Sequence, residues 1–86
     1  MTRHITINTY RLMKEEIRAL LEDALPLVDI DSDFLFSELD SLSVTTILML
    51  LSEKYGVTLD HRDATPRNLK NIDNIVAMVC GKLANA

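Results

Sequence analysis

The sequence predicts an all-α fold: three longer helices and one short third helix, with a long loop between the first two. Three observations lead to it. Apolar residues recur at helical spacing in three separate stretches, beginning near Tyr10, Val44 and Ile72. Gly 2 and Pro 2 leave few of the tight turns that a sheet sandwich requires. The one strand-like alternation, Ile5 and Ile7, has no second strand to pair with, so residues 1–7 read as a loose or docked tail. A length of 86 residues and a hydrophobic fraction of 48% suit a single domain, residues 1–86, with a modest core.

The elements follow in order. Asn8 or Thr9 caps the first helix, whose buried stripe is Tyr10, Met13, Ile17, Leu20, Leu21 and Ala24. Arg11, Lys14, Glu15, Arg18 and Glu22 fill its other faces, and Pro26 stops it near Leu25. Residues 26–40 form a loop too long for a mere connection, pinned to the helices by Leu27, Val28, Ile30, Phe34, Leu35 and Phe36. The second helix runs from Ser41 to Tyr55, with Gly56 as its C-cap glycine. Val57 and Leu59 anchor the loop after it. Asp60 or Thr65 caps the short third helix, and Thr65-Pro66 is a cap-plus-proline signature. The last helix starts around Asn71 and buries Ile72, Ile75, Val76, Val79, Cys80 and Leu83; Gly81 weakens its end.

The stretch Glu38-Leu39-Asp40-Ser41-Leu42-Ser43 organises the rest. Asp29, Asp31, Asp33, Glu38 and Asp40 precede Ser41 with no Lys or Arg among them. Asp40 and Ser41 are good capping residues, so the Ser41 hydroxyl is expected exposed at a helix N-terminus, where a phosphate is favoured. This reads as a site of modification. Around the second helix, Val44, Ile47, Leu48, Leu51 and Tyr55 share one face, and Leu42, Thr45, Thr46, Met49 and Glu53 the other. Leu42 and Met49 are therefore apolar and outward, a docking surface beside Ser41.

Taken together, Asp40-Ser41-Leu42 opening an amphipathic helix, Gly56-Val57-Thr58-Leu59 after Tyr55, and Thr65-Pro66-Arg67-Asn68-Leu69-Lys70-Asn71-Ile72 resemble the acyl carrier and peptidyl carrier protein family over nearly the whole chain. The resemblance implies a four-helix bundle of the acyl-carrier type. It implies that Ser41 carries covalent 4'-phosphopantetheine, installed from coenzyme A by a phosphopantetheinyl transferase. The thiol of that arm would hold an acyl or aminoacyl group as a thioester. Asp40 is expected to assist the transferase's metal-assisted reaction and Leu42 to contact the transferase or the arm. Leu42, Thr45, Met49 and Glu53 form the expected partner face. Two departures stand out: Glu38 replaces a glycine often found two residues before the motif aspartate, and Ser41 to Tyr55 carries no net charge, since Lys54 balances Glu53. A dedicated carrier in a specialised biosynthetic pathway is expected, loaded by an adenylating ligase and used by downstream acyl-transferring enzymes, rather than the housekeeping fatty-acid carrier. The alternative is a non-carrier helical interaction domain using Leu42 and Met49.

Other classes have less support. The net charge of -4 disfavours nucleic acid and favours a positive partner surface. One cysteine excludes an internal disulfide and suggests a reducing compartment, the cytoplasm, for a monomer with no membrane span. Ser41 as an enzyme nucleophile would need a base, and only His4 and His61 are available. Asp29-x-Asp31-x-Asp33 starts like a calcium loop, but Phe34 stands where the turn glycine belongs and Asp40 where the closing glutamate does, so no metal site is expected. Cys80 reads as a core residue, and the four methionines share no stripe.

Overall fold

The computed structural model describes residues 6–85. It is helical throughout, with α1 (Ile7–Ala24), α2 (Ser41–Tyr55) and α3 (Ile72–Ala84), and with 3-10 turns at Leu35–Glu38 and His61–Asp63. The Thr6 hydroxyl caps α1 by accepting from the Thr9 amide at 3.1 Å. The cap is thus earlier than Asn8 or Thr9, because a threonine hydroxyl satisfies the amide three residues on and draws the intervening residues into the first turn. Ile7 is the first helical residue and exposed, while Ile5 lies outside the described residues. Met13, Ile17 and Leu21 are buried, with Tyr10 and Leu20 packed beside them. Ala24, expected on that stripe, is exposed at the last turn, where the chain leaves for Pro26.

The loop is only partly pinned as expected. Ile30 and Leu35 are fully sunk in the core, and the Leu35 amide donates to the Lys70 carbonyl at 2.8 Å. Val28, Phe36 and Leu39 pack against the core from its edge. Leu27 and Phe34 point outward instead, 99% and 74% exposed. For Leu27 the reason is local: Pro26 and Leu27 are the corner of a turn closed by the Val28 amide on the Leu25 carbonyl at 3.1 Å. Phe34 precedes the buried Leu35 in a tight turn that points the two side chains different ways.

In α2 the apolar stripe is Ile47, Leu48 and Leu51, all buried, with Val44 and Tyr55 half-buried at its ends. Gly56 closes the helix at φ 64, the left-handed region, and its N–H donates to the Ser52 carbonyl. Buried Leu59 anchors the next segment, with its amide on the Ser52 hydroxyl at 3.1 Å.

The short third helix expected before the last one is not confirmed as an α-helix: its stretch holds a 3-10 turn and a separate turn. Asp60 instead caps the 3-10 turn at His61–Asp63 through a reciprocal pair of hydrogen bonds. Thr65 does cap a turn, accepting from the Asn68 amide on its hydroxyl at 3.0 Å and from the Leu69 amide on its carbonyl at 3.1 Å. The turn goes no further because Asn71, extended at φ -156, is already the cap of α3. α3 buries Ile72, Ile75, Val76 and Val79 as expected, and also Met78, which the stripe omitted. Gly81 leaves the helix intact to Ala84. α1 is clasped to α3 at one end, where Asp73 receives the Tyr10 hydroxyl on its carbonyl at 3.2 Å and Lys14 on its carboxylate at 2.9 Å. It is tied to α2 by the Tyr55 hydroxyl, which donates to Glu16 at 3.0 Å.

Candidate functional site

The site is built at the start of α2. Asp40 is the N-cap, extended at φ -93 and ψ 177, and its Oδ1 accepts from the Ser43 amide at 2.7 Å. That amide, first among the causes, holds the Asp40 carboxyl below its ordinary value of 3.8. Asp40 is therefore a carboxylate at neutral pH, set against the positive end of the helix. Ser41 follows as the first helical residue, and it is exposed. Its hydroxyl has no hydrogen-bond partner among the described residues. The helix amides and the open hydroxyl together suit an anionic substituent on Ser41 Oγ.

Of the residues placed on the outer face, Thr46 is half-buried and the other four lie outward. Leu42 is 75% exposed and Met49 51% exposed, and Thr45 and Glu53 lie outward on the same side. Thr45 Oγ1 donates to the Ser41 carbonyl at 2.9 Å, and Thr46 Oγ1 to the Leu42 carbonyl at 2.8 Å. With both hydroxyls turned back onto the helix, the face beside Ser41 presents mainly apolar surface. Thr45, Leu48 and Met49 also form one wall of a shallow cleft of about 300 Å³, closed on the far side by Leu59, Asp60 and His61.

A second cleft of about 390 Å³ lies beside the same helix start, lined among others by Pro26, Leu27, Val28, Glu38, Asp40 and Ser43. Sequence reasoning missed it by burying Leu27. The only available signal was Pro26, which makes a corner residue of the leucine after it.

The other candidates are used elsewhere. Asp31 Oδ1 takes the Arg18 Nε at 3.1 Å, and Asp29 Oδ1 the Asp31 amide at 3.1 Å, so these carboxylates brace the loop. His61 begins the 3-10 turn, and His4 lies outside the described residues. Cys80 is half-buried on α3, with its Sγ 3.9 Å from the Met13 Sδ, and burial raises its thiol pKa. Among the described residues no helix is long and apolar enough to cross a membrane.

Comparison with known proteins adds one finding. A family model described as the phosphopantetheine attachment site matches residues 12–79. No curated protein and no solved structure matches the chain.

Proposed function

The chain belongs to the phosphopantetheine attachment-site family, whose members carry covalent 4'-phosphopantetheine, and we propose that Ser41 Oγ is the attachment atom in this member. The observation that carries the reading is the exposed, unpartnered Ser41 hydroxyl at the first residue of a 15-residue helix. The residues present fit the group: among the described residues nothing engages the hydroxyl, and the amides and dipole of the first turn favour a phosphate. When bound, the arm supplies a thiol that can hold an acyl or aminoacyl group as a thioester.

This chain's own residues divide the remaining work. Asp40 fixes the start of α2 through Oδ1, and its carboxylate would assist the transferase's metal-assisted reaction. Leu42, Thr45, Met49 and Glu53 form the face on which that transferase, a loading ligase and later acyl-transferring enzymes rest. Glu53 is the only acid on α2 and Lys54 adjoins it, so this face offers partners apolar contact more than charge. That balance supports a dedicated carrier in a specialised pathway. We read residues 1–86 as one monomeric, cytoplasmic carrier domain without catalysis of its own.

The test is co-expression with a broad-specificity phosphopantetheinyl transferase, followed by intact mass. The wild-type chain should gain one phosphopantetheine group. Ser41→Ala should keep its helical circular dichroism and gain none. Modification of Ser41→Ala to the same mass would overturn the assignment to Ser41. A wild-type chain that stays unmodified would favour a non-carrier interaction domain.

A further inference from the structure

Leu27 is 99% exposed, more than any other large apolar side chain among the described residues. One exposed leucine is ordinary on a protein surface. Leu27, however, is not alone. It lies in the apolar run Leu25-Pro26-Leu27-Val28 and forms one wall of the cleft whose opposite wall holds Glu38, Asp40 and Ser43. Asp40 and Ser43 bracket Ser41 in the chain, so this apolar corner adjoins the attachment site.

Charge indicates what covers it. Seven of the thirteen carboxylates fall in residues 22–40, which hold none of the nine Lys and Arg, so this segment carries -7 and the remainder +3 of the total of -4. From outside the segment, Arg18 reaches in to pair with Asp31. Glu38 and Asp40 stand in the cleft wall itself. A cationic rim around an apolar socket is complementary in both respects.

We propose that Leu27, with Pro26, Val28 and the Glu38 and Asp40 carboxylates, is a second docking contact beside Ser41, and that its partner is a basic-rimmed apolar socket on the transferase that modifies Ser41. The proposal rests on the carrier reading. A partner gripping both Leu27 and Leu42 would straddle the Ser41 hydroxyl, which positions it better than contact along α2 alone.

The experiment uses the unmodified full chain, coenzyme A and a broad-specificity phosphopantetheinyl transferase, with initial rates of mass gain measured against carrier concentration. Leu27→Ser should lower kcat/KM by about tenfold through KM, the effect of a moderate interface anchor. Its melting curve should match wild type, since so exposed a side chain contributes little packing. Leu12→Ser, at a position 66% exposed on α1, should leave the rate unchanged. Glu38→Gln should lower kcat/KM severalfold at 0.1 M salt and blunt its fall towards 1 M, over which the Debye length drops from about 10 Å to about 3 Å. Equal KM for Leu27→Ser and wild type overturns the proposal while leaving Ser41 as the attachment site. So does wild-type self-association in sedimentation that Leu27→Ser abolishes, which would make a second copy the occupant. Absence of mass gain on wild type sinks the carrier reading itself.

Discussion

Asp40 acts on α2 through shape and through charge, and two substitutions separate these. Asp40→Asn keeps an oxygen acceptor for the Ser43 amide and removes the charge; Asp40→Ala removes both. Asp40→Ala should lower the urea midpoint more than Asp40→Asn, and both should slow mass gain at Ser41. The sign of the pH effect follows from the direction of the shift. The folded carboxyl sits below its ordinary 3.8, so its contribution is present above that pH and is lost as acid takes pH through the folded value. Melting temperatures of wild type and Asp40→Asn should therefore differ at neutral pH and converge in acid. Asp40 and Ser41 were legible in the sequence because capping is settled within a few residues. Leu27 was not, because apolar character alone does not tell which side chain a proline corner turns outward. The same limit hid Phe34, and in the opposite sense Met78, whose burial depends on what packs against α3.

Periodicity carried the α2 reading well because its core face is set by neighbours on one helix. Leu51 is fully buried and Met49 half-exposed, on opposite sides. Leu51→Ala should cost about 2–5 kcal/mol, from lost transfer energy plus a cavity, and Met49→Ala much less. Denaturant midpoints in the reverse order would mean that the two faces are exchanged. The short third helix was overcalled from Thr65-Pro66, a real start signal, as the Asn68 amide on the Thr65 hydroxyl shows. A start signal does not set a length. Length was decided by the Asn71 cap, which binds the Asn74 amide at 2.8 Å and claims the residues that a third helix would need. The first helix was misplaced at its start for the related reason that Thr6, Asn8 and Thr9 are all competent caps by type, and only geometry selects among them.

The helices are held to one another by polar clasps at the rim of a single apolar core. Both tyrosines take part, and both have raised pKa values with burial as the first cause, reinforced at Tyr10 by Asp73 and at Tyr55 by Glu16. A raised tyrosine pKa contributes stability that is whole below the ordinary 10.0 and is lost as pH rises through the folded value. Helical circular dichroism should thus fall above about pH 10 together with the rise of phenolate absorbance. Full ionisation of both tyrosines at an ordinary pKa in a chain that stays folded would contradict the clasp. Among the described residues, the middle of the long loop before Ser41 is joined to the approach to α3 by a backbone bond from the Leu35 amide to the Lys70 carbonyl, across a fully buried side chain. Deuterium exchange should consequently find a slow amide at Leu35 within a loop of fast ones. Its opening free energy would measure how firmly α3 and its approach hold the serine's platform, a property that hydrogen exchange can read while the helices themselves stay closed.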